Sequence, residues 1–155
     1  MKQRWLGFCC LLACVSCLVP LTARGDGADD TKTLKELRET ITKVRTMSGP
    51  STARANAAER LSQSTEKIDP KKVDDNTLKN LISLLDTNDN SVRVCVATAL
   101  GHLGPRAKMA VPALMRFMRE EDCPELVAGV PTDAARVALR RIGVTPPPRD
   151  CGKEK

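Results

Sequence analysis

Across 155 residues the chain carries 25 Lys and Arg against 19 Asp and Glu, a single histidine, and only 2% aromatic residues. One histidine rules out a multi-histidine metal centre, and so few aromatics leave no stacking platform for single-stranded nucleic acid. The first 25 residues hold three of the basic residues and none of the acids, so the remainder has 22 against 19, a mixed surface of net charge +3 that does not call for a nucleic-acid partner.

The N-terminus reads as a targeting segment. Met1-Lys-Gln-Arg-Trp5 is a short basic opening, Leu6 to Val19 is uncharged and apolar, and Ala23-Arg-Gly25 offers small residues for cleavage after Gly25. The apolar run falls short of the roughly 20 residues a membrane span needs. Residues 1–25 are therefore expected to be a cleaved secretion signal. Cleavage after Ala23 and a lipid anchor at Cys14, in the lipobox-like Leu11-Leu-Ala-Cys14, are the alternatives. The expected location is periplasmic or extracellular, with no span left after cleavage.

Residues 26–32 are small and polar and read as a disordered leader. From Thr33 a helical period begins: Leu34, Leu37, Ile41, Val44 and Met47 share one stripe. Ser48-Gly49-Pro50-Ser51 ends it, and Ser51 or Thr52 caps a second helix reaching about Ser64. Asp75 or Asn76 is expected to cap a third helix carrying Leu78, Leu81, Ile82 and Leu85. Ser91 opens its partner, whose inward face is Val92, Val96, Ala99 and Leu103. Gly104-Pro105 then stops one helix and starts the next.

The last two predicted helices repeat the two before them. Ala110–Met118 aligns on Thr77–Leu85 at an offset of 33. Asp133–Gly143 aligns on Val94–Gly104 at an offset of 39, both ending Ala-Leu-x-x-aliphatic-Gly. Six extra residues fall in the turn between Arg119 and Thr132. A period of this size marks stacked helical hairpins. The fold expected over residues 33–143 is all-α, a short α-solenoid of about three hairpins, followed by a flexible Pro-rich tail over 144–155.

Asp89-Asn-Ser-Val-Arg93 followed by Ala97-Thr-Ala-Leu-Gly-His-Leu-Gly104 resembles the second helix of a HEAT repeat. Ala110-Val-Pro-Ala-Leu114 resembles its first helix. The closest variant is the short HEAT-like type first associated with phycobilin lyases. In such repeats the turn acid and the following arginine often pair between modules, and Asp89 and Arg93 match those positions. The resemblance implies an architecture for binding proteins or peptides. The iron-holding His-Glu pairs of a HEAT-repeat hydroxylase have no match, because Leu103 follows His102.

The candidate chemistry is sparse. His102, between the apolar stripes, has no partner ligands in the pattern, and Asp86-x-Asn88-x-Asn90 departs from a calcium loop at Ser91 and Ala97. Arg136, Arg140 and Arg141 form a basic patch on the last helix that could meet a peptide or an anionic surface, although cations there also suit the helix dipole. Cys95 reads as a small core residue. Cys123 and Cys151 are either bridged or both free, and a bridge would contribute about 3 kcal/mol. No cofactor is expected. The function expected is an exported, non-catalytic interaction module or scaffold with an unidentified protein or peptide partner. The alternatives are a lyase-like accessory subunit and a structural envelope lipoprotein.

Overall fold

The computed structural model describes residues 27–120 and 131–148. Among these residues all regular structure is helical, and the chain is all-α. The helices are α1 (Gly27–Thr46), α2 (Thr52–Lys67), α3 (Asp75–Ser83), α4 (Asn90–Leu103), α5 (Val111–Glu120) and α6 (Pro131–Ile142). Shorter 3-10 turns occupy Pro70–Lys72, Leu84–Asp86 and Gly104–Ala110. The secretion signal predicted for residues 1–25, Cys14 included, and the thiols Cys123 and Cys151 lie outside the described residues. So does most of the predicted insertion.

Several boundaries differ from the sequence expectation. The predicted leader is helical from Gly27, seven residues before the apolar stripe begins at Leu34. Asp29 and Asp30 sit in its first turn, where the dipole favours negative charge, and Asp30 is buried and paired with Lys72 at 2.7 Å. Helix α2 runs on to Lys67 rather than Ser64, and ends when Ile68 turns extended and buries its side chain completely. Asp74, not Asp75 or Asn76, caps α3: its backbone is extended and its carboxylate accepts from the Thr77 amide at 2.9 Å. Asp89, not Ser91, opens α4, accepting from the amides of Ser91 and Val92 at 3.1 and 3.3 Å. Ser51 caps α2. A polar residue near the right place was visible each time. Which one turns extended is decided by the neighbouring contacts.

The apolar stripes meet in one core. Leu37, Ile41 and Val44 of α1 are buried, with Leu34 and Met47 half-buried at the ends. Leu78, Leu81, Leu84 and Leu85 face inward from the third helix and its 3-10 extension. Val92, Val96, Ala99 and Leu103 do so from α4, and Leu114, Phe117 and Met118 from α5. Helix α1 packs on α2 and α5 on α6, while α4 lies against both α2 and α6.

The 39-residue phase of α4 and α6 extends back to α2. Leu61, Leu100 and Leu139 stand at that spacing and are all fully buried, and Ala57, Val96 and Ala135, one turn earlier, are buried as well. Gly104 and Gly143, also 39 apart, follow the ends of α4 and α6 with positive φ of 54° and 97°, which glycine adopts without a Cβ penalty. At Gly101 α4 and α6 approach closely. A Cβ there would lie 3.1 Å from the Ala138 Cα.

Candidate interaction site

Most of the long polar side chains with measured partners sit at the joints between hairpins. Arg38 of α1 donates to the Asp74 carboxylate at 2.6 Å and to the Thr77 hydroxyl at 3.0 Å, tying α1 to the cap of α3. The Thr77 hydroxyl in turn donates to Asp74 at 2.6 Å. Together the Thr77 hydroxyl, the Arg38 guanidinium and the Thr77 amide hold the Asp74 carboxyl well below the usual range. Arg106, in the turn before α5, donates to the Val73 carbonyl at 2.7 and 3.0 Å and pairs with Asp75 at 2.5 Å. Arg116 of α5 pairs with Asp86.

Arg54 is the buried member of this set. Its guanidinium donates to the Val44 carbonyl at 3.2 Å and the Thr87 hydroxyl at 2.9 Å, and lies 3.7 Å from the Asp89 carboxylate. One side chain thus links the end of α1, the turn before α4, and the α4 cap. Of the two residues matched to an inter-repeat pair, Asp89 therefore faces Arg54 of the preceding hairpin. Arg93 is buried, with its guanidinium 4.0 Å over the Phe117 ring. Arg54 escaped the sequence reading although it precedes Arg93 by 39 residues. The weak apolar stripe of α2 hid that register.

Of the predicted arginine patch, Arg136 and Arg140 border one cleft, but the three are not equally accessible. Arg140 and Arg141 are exposed, but Arg136 is buried and donates to the Pro147 carbonyl at 2.6 Å. The tail predicted to be flexible is fastened over its first residues: the Val144 amide donates to the Leu139 carbonyl at 2.9 Å, and Val144 packs on the core. A run of prolines carries no sign in the sequence of where it will rest.

A ribbon of accessible residues crosses α2, α4 and α6. Glu59, Thr98 and Val137 occupy one 39-residue phase, and Gln63, His102 and Arg141 the next; all are exposed or half-buried. Between α4 and α6 the ribbon dips into a furrow of about 270 Å³, floored by Gly101 and Ala138. Val137 stands there 40% exposed. His102 Nδ1 lies 3.1 Å from the Ser62 carbonyl. A carbonyl only accepts, so Nδ1 carries the hydrogen, and Nε2 of the neutral ring is an acceptor.

Cys95 borders this ribbon, half-buried. Burial first, then the carboxylates of Glu59 and Asp89, push its thiol pKa up, which disfavours the thiolate a nucleophile needs. Among the described residues no group of three or more His, Cys, Asp or Glu side chains could share a metal ion, and no helix is long and apolar enough to cross a membrane. Comparison with protein-family models, with curated proteins and with solved structures finds no match to this chain.

Proposed function

We propose that the chain is an exported, non-catalytic interaction module, a three-hairpin solenoid of HEAT-like type that presents one helical face to a protein or peptide partner. The observation that carries this reading is the 39-residue register shared by α2, α4 and α6. It aligns Leu61, Leu100 and Leu139 in the core and, at other phases, the accessible rows through Val137 and Arg141. A regular stack offers a broad, rigid surface whose binding properties are set by the exposed rows, while the buried positions are spent on packing. The joints support the same reading, because the arginines at Arg38, Arg54, Arg106 and Arg116 each connect one hairpin to the next rather than converging on a reaction centre.

The test is recovery of the tagged full chain from its native source after mild cross-linking. One partner should be recovered in stoichiometric amount, and recovery should fall when Val137→Glu and Arg141→Glu are introduced together on the exposed row. A chain that comes back alone, or an activity that disappears with His102→Ala, would sink the reading.

A further inference from the structure

We propose that the outer side of α6 is a seat for an extended, proline-rich segment, closed in this structure by the chain's own residues Val144–Pro148. The proposal rests on the reading of the chain as a binding module and names the chemistry of one ligand.

The first observation is a break in the register. Ala58 and Ala97 hold the same phase in α2 and α4 and are fully buried, each helix having the next one packed on it. Arg136 takes that phase in α6, where no described helix follows. A long charged side chain favours water, yet Arg136 is only 9% exposed. The tail, which Gly143 turns at φ +97°, brings the Pro147 carbonyl to it at 2.6 Å.

The second observation is how the tail lies. The Val144 amide is held by the Leu139 carbonyl at 2.9 Å, and Arg136 donates to the Pro147 carbonyl at 2.6 Å. Val144 and Pro146 are half-buried, whereas Thr145 and Pro147 are exposed. Pro146, Pro147 and Pro148 line a cleft of about 400 Å³ with Arg136 and Arg140.

The ligand chemistry follows. Proline has no N–H, so a run of prolines offers only carbonyl acceptors and apolar rings, in a conformation already extended. A guanidinium supplies donors and no acceptor. A buried arginine, with Arg140 beside it, is therefore matched to the carbonyls of such a segment, and the stiffness of the prolines lowers the ordering cost. Because the tail is tethered within a few residues, its local concentration is of millimolar order, and a weak contact keeps the seat filled. A partner must displace the tail to enter.

The experiment uses the isotopically labelled full chain and a synthetic peptide of sequence Gly-Val-Thr-Pro-Pro-Pro, titrated by NMR. Val144→Lys with Pro146→Lys lifts the tail, since the new cations are repelled by Arg136 and Arg140, while leaving Arg136 in place. The lifted variant should bind the peptide with a Kd of about 0.1 mM, roughly tenfold below the tail's local concentration, as a seat kept filled by the tail requires. The parent should need about tenfold more peptide for the same shifts, because the tail competes for its seat. Adding Arg136→Leu should weaken that binding about tenfold or more, as the loss of one charged hydrogen bond predicts. In the otherwise unaltered chain, Arg136→Leu should speed amide exchange at Val144 while the amides of α4 keep their protection, which separates release of the tail from unfolding. No binding by the lifted variant, or equal binding with and without Arg136, overturns the proposal. So does self-association of the lifted variant that the peptide does not reverse, which would make the tail a guard against a second copy instead. None of these failures touches the exposed row of Val137 and Arg141, on which the interaction-module reading is tested separately.

Discussion

Leu100 was identifiable from the repeat alone: four residues before Gly104, as Leu139 is before Gly143, and both side chains are fully buried. Leu100→Ala should cost about 2–5 kcal/mol, since the cavity is walled by packed helices that relax only in part. Val137→Ala, on the exposed row, should change stability by no more than about 0.5 kcal/mol. Urea unfolding of both variants decides the matter, and similar midpoints would show the register to be wrong. Asp74 carries a second prediction. Its folded pKa is lowered, so its contribution is present above the ordinary carboxylate pKa of about 4 and fades as the pH falls below it. Asp74→Asn keeps a competent cap and removes the charge. The parent should therefore lose more stability than the variant on acidification, by a small margin because the carboxylate is 42% exposed. Equal losses on acidification would show that Asp74 is not a source of the acid sensitivity. None of this network was legible, because the sequence places Arg38 and Asp74 36 residues apart in different helices.

Helix existence was legible wherever an apolar stripe ran, as over Leu37, Ile41 and Val44 or over Val92, Val96 and Ala99. Helix ends were not, because they are settled by side chains from elsewhere. The carboxylate of Asp75, expected as a cap, goes to Arg106 while Asp74 caps. Gly27–Lys32 carries no apolar stripe, yet it is helical and held by Lys72 on Asp30. The start of α4 tests how far one carboxylate serves two elements. Asp89→Ala removes a cap, a loss of about 1 kcal/mol in most helices, and also takes the nearest carboxylate from buried Arg54. The total should exceed the cap value and approach about 3 kcal/mol. In a cycle with Arg54→Met the two losses should fail to add by about 0.5 kcal/mol or more. Strict additivity would mean that the 3.7 Å approach carries no coupling.

At the scale of the molecule, the period between the second and third hairpins was plain and its extension to the first was not. The alanines of α2 (Ala53, Ala55, Ala57, Ala58) blur the stripe, and only the burial of Leu61 in phase with Leu100 and Leu139 brings the register out. Helices α1 and α2 border a polar cleft of about 580 Å³ among charged side chains such as Lys32, Glu36 and Arg60. Against α6, by contrast, lies the tail, held through Arg136 and Pro147.

The joint arginines bear on how quickly such a chain comes apart. Helical hairpins join residues close in sequence and form early, whereas Arg54 reaches Thr87 and Asp89 across 33 and 35 positions and can close only after two hairpins have met. If the two hairpins meet after the rate-limiting step, the interaction is absent from the transition state. Arg54→Met should thus leave the refolding rate nearly unchanged and place most of its cost in faster unfolding, seen as a shift of the unfolding arm alone in a stopped-flow chevron. If refolding slowed by the full factor instead, the first two hairpins would have to meet at the rate-limiting step. On the expected outcome the joints act as latches: they set the lifetime of the assembled stack and have little part in how fast it assembles.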